Sequence, residues 1–92
     1  MSDDLWVWEY AFHAEDEIGY PKQVRDEVRA IADQITELAN LGIDPTGLGS
    51  RTTGTAQRHA LPSGGWFETQ CMPRSRPRLI AVVLVIPPPH LL

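Results

Sequence analysis

The side chains best suited to chemistry lie in the second half of the chain. Cleavage of an RNA phosphodiester needs a base for the 2′-hydroxyl, cations for the charge that builds on the phosphate, and an acid for the leaving oxygen. A carboxylate or an imidazole can act as the base, and a guanidinium can hold phosphate through its two-pronged fork. The candidates for catalytic roles are Arg58, His59, Glu68 and Arg74. The candidates for binding a polyanion are Arg51, Arg76, Arg78 and His90.

Charge is divided unevenly along the chain. Residues 1–50 carry eleven acids and three bases, whereas residues 51–92 carry five arginines and one glutamate. A basic C-terminal surface can attract phosphate locally, because salt screens the acidic half beyond about 8 to 10 Å. Two structural alternatives stay open: the arginines balance the acidic helix within the domain, and His59 is a partly exposed strand residue.

The sequence predicts neither a metal site nor a bound cofactor. Cys71 and the histidines stand apart and lack the paired spacing of zinc ligands. Gly47, Gly49 and Gly54 do not lie between a strand and a helix, so neither a dinucleotide fingerprint nor a P-loop is supported.

Length and composition predict one small domain spanning residues 1–92. The longest apolar run, residues 79–86, is far shorter than the roughly 20 residues of a membrane span, so no membrane association is expected. The first residues lack the pattern of a secretory signal, and the lone Cys71 has no disulfide partner in the chain. The expected location is therefore the cytoplasm.

Two elements are predicted in the first half. Residues 5–12 read as a strand with its aromatic residues on one face, and residues 13–20 as a short helical turn. Residues 21–41 read as an amphipathic helix that stops where Gly42 takes the left-handed position after the last turn and Pro45 follows. Its apolar stripe is Val24, Val28, Ile31, Ile35 and Leu38.

The second half reads as strands. Residues 46–56 are predicted to be a mobile loop or an irregular edge, and residues 57–61 a short strand. Residues 64–71 and 79–86 then form a hairpin with a basic tip, the second run lying mid-sheet and covered on both faces. The expected fold is α+β, a small antiparallel-rich sheet of about four strands with one long and one short helix on one face. If the first strand lies beside the last, the two are parallel and the helix is the crossover.

This order of elements resembles the RelE/ParE superfamily of toxins from bacterial type II toxin-antitoxin systems, and most closely its HigB-like branch. The resemblance is carried by residues 61–68 (Leu-Pro-Ser-Gly-Gly-Trp-Phe-Glu), an arginine-containing turn and a valine-rich last strand. The branch often carries Gly-Leu-Trp-Glu-Leu-Arg on its third strand, which residues 65–70 match in part. The arginine after the glutamate is replaced by Thr69 or Gln70.

The resemblance implies a toxin that cleaves mRNA on the ribosome and is wrapped by a cognate antitoxin. Glu68 then matches the motif glutamate, Arg58 a phosphate-binding base on the second strand, and Arg74, Arg76 and Arg78 the basic turn. Two alternatives from other classes remain. One is a non-catalytic interaction module of the same fold that binds an antitoxin-like partner, and the other is a homodimer joined through the aromatic residues of the first strand.

Overall fold

The computed structural model describes residues 5–11 and 19–91. Within these ranges lie five strands and one α-helix, with short 3-10 turns at Pro45–Gly47 and Pro89–Leu91. The elements follow the order β1 (Trp6–Tyr10), α1 (Lys22–Asn40), β2 (Ser50–Arg51), β3 (Gln57–Ala60), β4 (Trp66–Met72) and β5 (Arg78–Ile86). The α+β class is confirmed. The short helical turn predicted over residues 13–20 falls mainly on positions outside the described residues.

The strands form one mixed sheet in the order β1-β5-β4-β3-β2. β1 runs parallel to β5, as expected for a first strand that lies beside the last, and the other pairs are antiparallel. The predicted hairpin is present as β4 and β5. Across the described ranges the sheet has five strands rather than about four, because Ser50–Arg51 pairs with β3 at one edge. The segment predicted as a loop or an irregular edge therefore contributes that edge.

The helix buries one stripe against the sheet. Two of its valines, Val24 and Val28, pack with Phe67 and Val82 in the core. The stripe passes through two alanines, so Ile31 and Leu38 flank its centre instead of lying on it. The buried helix positions are Val24, Val28, Ala32, Ile35 and Ala39.

The helix ends as the sequence predicted. Gly42 has a φ of +98°, which a residue with a Cβ rarely adopts, and its N–H donates to the carbonyl of Ala39 at 3.1 Å. The N–H of Ile43 donates to the carbonyl of Leu38 at 3.1 Å. This paired arrangement satisfies two of the carbonyls that the last turn leaves open, so the stop is set by local chemistry.

The aromatic face of β1 is turned toward α1. Trp6 is buried with Ile35 and Ile80, and the half-buried Trp8 donates from Nε1 to Oδ1 of Asp33 at 2.7 Å. Three of the four aromatic residues predicted to share a face do so, and the fourth, at position 12, lies outside the described residues. Trp6 is therefore covered within the molecule, whereas Trp8 and Tyr10 are only half-buried.

Asn40, the last residue of α1, closes part of the sheet edge formed by β1. Its Oδ1 accepts from the Trp6 N–H at 2.7 Å and its Nδ2 donates to the Trp6 carbonyl at 3.1 Å. One amide side chain thus satisfies the donor and the acceptor that this one residue of the edge strand would otherwise present to another chain.

The other face of the sheet, which we call the open face, carries alternate residues of each strand. It includes Glu68 and Gln70 on β4 and Arg58 on β3, whose neighbours Phe67, Thr69 and His59 point toward α1. β5 lies mid-sheet as predicted, but it is not covered on both faces, because Val83 and Leu84 are 38% and 39% exposed.

A β-bulge explains this exposure. Thr69 pairs with Val82 and Glu68 with Leu84, which leaves Val83 without an opposite residue. The extra residue shifts the alternation of β5, so that Val82 and Val85 both reach the core although they are three positions apart.

Candidate functional site

An arginine and a glutamate form an ion pair at the centre of the open face. Arg58 and Glu68 stand directly opposite each other on β3 and β4. Nε and Nη2 of Arg58 donate to Oε2 of Glu68 at 3.0 and 2.8 Å. The guanidinium carbon lies 4.8 Å from the ring centroid of Trp66, the diagonal neighbour on β4. The Arg58 side chain is 47% exposed and the Glu68 side chain only 13%, so the cation faces outward over a carboxylate set below it.

A groove of about 830 Å³ opens beside this pair. One wall is the segment 51–56, and the floor is formed by three side chains of the sheet, Arg58, Glu68 and Gln70. Hydrogen bonds shape the wall: Thr52 Oγ1 donates to the carbonyl of Ala56 at 2.9 Å, and Thr55 Oγ1 donates to Oε1 of Gln70 at 2.9 Å. The volume is within the range of known ligand sites.

The groove brings together the groups that phosphate chemistry requires. Two of the five N–H donors of Arg58 are engaged by Glu68, which leaves the outer edge of its fork for a ligand. Arg51 also lines the groove, but it stands opposite Gln57 at the edge of the sheet, so its side chain starts on the α1 side rather than on the open face. A carboxylate able to accept a proton therefore lies next to a cation able to hold an anion.

His59 is not part of this groove. Its side chain is on the α1 side of β3, 7% exposed, with Nε2 3.0 Å from Oγ1 of Thr69 and its ring 5.0 Å from that of Phe67. The backbone of Gly49 approaches the imidazole so closely that a Cβ there would lie 2.7 Å from it. Because adjacent strand residues point to opposite faces, His59 cannot act with Arg58 and Glu68 on one substrate. It is a buried core residue rather than the partly exposed one considered above.

Burial makes the stability of the fold depend on His59 near neutral pH. Burial lowers the pKa of His59, whereas the unfolded chain binds its proton near the ordinary value of about 6.5. Below that value the unfolded state holds more protons, so the free energy of unfolding falls as pH decreases from about 7 to about 5. We expect the urea midpoint to fall over this window in the wild type and to change less in His59→Gln.

A second histidine provides the control. His90 is exposed, so His90→Gln should keep the wild-type slope of the urea midpoint against pH. The pKa values of Asp26, Glu27 and Asp44 are lowered by hydrogen bonds, and the protonation of these carboxyls affects stability below about pH 4.5, outside this window. An equal slope in wild type and His59→Gln would contradict the assignment.

The three arginines of the basic turn lie away from the groove. Glu68 and Met72 are separated by about 13 Å of strand, and the turn begins beyond Met72. Arg74 is exposed in the turn, while Nη1 of Arg76 donates to the carbonyls of Pro73 and Ser75 at 2.8 Å each. Arg78 begins β5 and lies on the α1 side, with its guanidinium carbon 4.9 Å from the ring centroid of Trp6.

The last predicted site residue lies at the opposite end of the sheet from this turn. His90 belongs to the turn Pro89–Leu91 and lies near Gly64, which precedes β4. The predicted site residues therefore occupy several places. Arg51, Arg58 and Glu68 share the groove, whereas His59, Arg74, Arg76, Arg78 and His90 do not line it.

Six groove residues were not predicted from the sequence, and the two whose side chains hydrogen-bond to each other in it are Gln70 and Thr55. Gln70 is two positions after Glu68, and the alternation of a strand places both on the same face. That signal was available once β4 had been predicted. Thr55 had no comparable signal, because its position depends on how the segment 51–56 folds back over β4.

Within residues 5–11 and 19–91, no three side chains among histidine, cysteine, aspartate and glutamate are grouped so that they could hold a metal ion. No helix in that part of the chain combines the length and the apolar character needed to cross a membrane. No protein-family model, curated protein or solved structure matches the chain. The fold and the groove define a class of protein. It is a small α+β protein whose mixed sheet is covered by a helix on one face and bears a polar groove on the other.

Proposed function

We propose that this protein is a toxin of the RelE/ParE type that cleaves mRNA on the ribosome, with the open-face groove as its active site. The observation that carries the proposal is the contact of 2.8 Å between Arg58 and Glu68 on the floor of that groove. The motif resemblance over residues 61–68 supplies the class of substrate and makes a cognate antitoxin the expected partner.

Arg58 and Glu68 have definite roles in this proposal. Arg58 holds the scissile phosphate, and Glu68 removes the proton from the neighbouring 2′-hydroxyl. The 2′-oxygen forms a bond to phosphorus while the bond from phosphorus to the 5′-oxygen breaks, and the leaving oxygen takes a proton from water at the mouth of the groove. The products are a 2′,3′-cyclic phosphate and a 5′-hydroxyl end. Glu68 takes the role of base because His59 lies on the other face.

The net charge of −4 fits a protein that acts on RNA already held by the ribosome. An acidic chain gains little non-specific affinity for free nucleic acid, whereas a guanidinium in a groove can still engage a phosphate placed next to it. The proposal therefore predicts little cleavage of free RNA.

The test compares wild type, Arg58→Gln and Lys22→Gln on translating ribosomes, with mRNA ends mapped by primer extension. Arg58→Gln should lower the cleavage rate by about 10² to 10³, the usual effect of removing one group that stabilises transition-state charge. Lys22→Gln also removes one positive charge, but from the 80% exposed side chain of a helix residue, and should cleave as wild type does. Intact mRNA with wild type, or equal cleavage by wild type and Arg58→Gln, would refute the proposal.

A second candidate function is supported by the apolar part of the open face. Val7, Val83 and Leu84 are each more than one-third exposed, and an amphipathic helix of an antitoxin-like partner could cover them. In a purely non-catalytic module, Leu84→Asp would abolish copurification with the co-expressed product of the neighbouring gene, Arg58→Gln would not, and wild type would leave mRNA intact. A lone wild-type monomer after such co-expression would exclude this candidate.

A further inference from the structure

Gln70 lies in the groove next to the proposed catalytic pair. It follows Glu68 by two positions on β4, so its side chain starts on the same face about 7 Å further along the strand. It is half-buried and forms part of the groove floor with Arg58 and Glu68. A nucleotide whose phosphate lay on Arg58 would bring an adjoining base within reach of this amide.

Thr55 contacts the acceptor end of the Gln70 amide. The hydroxyl of Thr55 donates to Oε1 of Gln70 at 2.9 Å, and the carbonyl of Thr55 accepts from Nε2 of Gln57 at 2.9 Å. The acceptor end of Gln70 is thus engaged by a residue that is itself held in place. No acceptor for Nε2 of Gln70 is present among residues 5–11 and 19–91, so its two N–H donors are available to a ligand in the groove.

The two N–H donors of the Gln70 amide can distinguish the RNA bases by whether a base presents a carbonyl oxygen or an amino group to them. Guanine and uracil carry a carbonyl oxygen at position 6 or 4, which accepts a hydrogen bond, whereas adenine and cytosine carry an amino group there, which donates. Two donors placed face to face leave both without a partner, and a half-buried donor without a partner is costly.

We infer that Gln70 selects the base beside the cleaved phosphate and favours guanine and uracil over adenine and cytosine. The inference rests on the proposed RNA cleavage and adds the substrate preference of the same groove. A single favourable hydrogen bond in place of a donor clash corresponds to about a tenfold difference in cleavage rate between the two classes of base.

The experiment uses a set of four reporter mRNAs that are translated by ribosomes. The reporters are identical except at one position of one codon, which carries a different base in each of them. Wild type should cleave next to guanine or uracil about ten times faster than next to adenine or cytosine. Gln70→Glu keeps the shape of the side chain but presents only acceptors, so the ratio should shift toward adenine and cytosine. Gln70→Ala should lower the ratio toward one, and Thr55→Val, which releases the amide, should reduce it partly.

The ratio between substrates is measured within each variant, so a general loss of rate caused by the added charge of Gln70→Glu does not affect it. If that variant fails to fold, the ratio for Gln70→Ala decides. Cleavage by wild type with a ratio near one, or a ratio unchanged in Gln70→Ala, would refute the inference and leave the proposed function standing. Absence of cleavage by wild type on every reporter would refute both.

Discussion

Glu68→Gln should lower the rate of mRNA cleavage by about 10² to 10⁴, the usual contribution of a positioned general base. Glutamine has nearly the same shape and can still accept from Arg58, but it cannot take the proton of the 2′-hydroxyl. Because Arg58 is unchanged, association with the ribosome-bound substrate should stay close to that of wild type. Single-turnover cleavage, measured over a range of protein concentrations, separates the chemical rate from binding.

The matched control for this substitution is Glu37→Gln. It makes the same chemical change on the exposed face of α1, far from the groove in sequence and on the other side of the sheet. It should cleave at the wild-type rate. A Glu68→Gln protein that retained more than about one-third of the wild-type rate would show that the proton is taken by another group, and the role assigned to Glu68 would be wrong.

Phe67→Ala should destabilise the fold by about 3 to 5 kcal/mol, which is a large part of the 5 to 15 kcal/mol typical of a small domain. Phe67 is fully buried and packs with Val24, Val28 and Val82, where helix and sheet meet. Removing the ring leaves a cavity that the surrounding side chains fill only in part, and it takes away the ring packed against His59. Urea unfolding at neutral pH gives the free energy directly.

Leu84→Ala is the control for this measurement. Leu84 lies on β5 and is 39% exposed on the open face, so its truncation should cost less than about 1 kcal/mol. A loss of less than about 1 kcal/mol for Phe67→Ala, or equal losses for the two variants, would mean that the core does not lie between α1 and the sheet as described.

Local chemistry explains what could be predicted of the fold. The end of α1 follows from Gly42 and the residues around it, and the position of the β4 and β5 hairpin follows from two runs of strand-forming residues with a punctuated link. The parallel direction of β1 and β5 follows from the order of elements along the chain, provided that the two strands are neighbours in the sheet. None of these features depends on a contact between residues far apart in the sequence other than strand pairing itself.

Features that depend on tertiary contacts were not predictable. β2 is two residues long and lies among glycines and threonines, so its only evidence is its pairing with β3. The bulge at Val83 left no trace in the sequence, because every residue from 79 to 86 is apolar and no alternation is there to be interrupted. The expectation that both faces of β5 are covered failed for the same reason, since an apolar run does not show which face has a partner.

The candidate site was predicted in part. Arg58 and Glu68 were chosen together for their chemistry, and the cross-strand register places them in contact. His59 was chosen for its chemistry alone, although its position next to Arg58 on a strand already assigned it to the other face. The arginines at positions 74, 76 and 78 are close in sequence, but their side chains have different surroundings. Two of them lie in the turn, where Arg76 binds a turn carbonyl, and Arg78 begins β5 and packs on Trp6.

The unpaired residue at Val83 also decides how this chain must be aligned with any other. The inside and outside positions of β5 follow one parity before Val83 and the opposite parity after it. A relative without the extra residue would need a gap of one position there. An alignment made without that gap would exchange Leu84 with the buried Val85 and would misassign every position that follows.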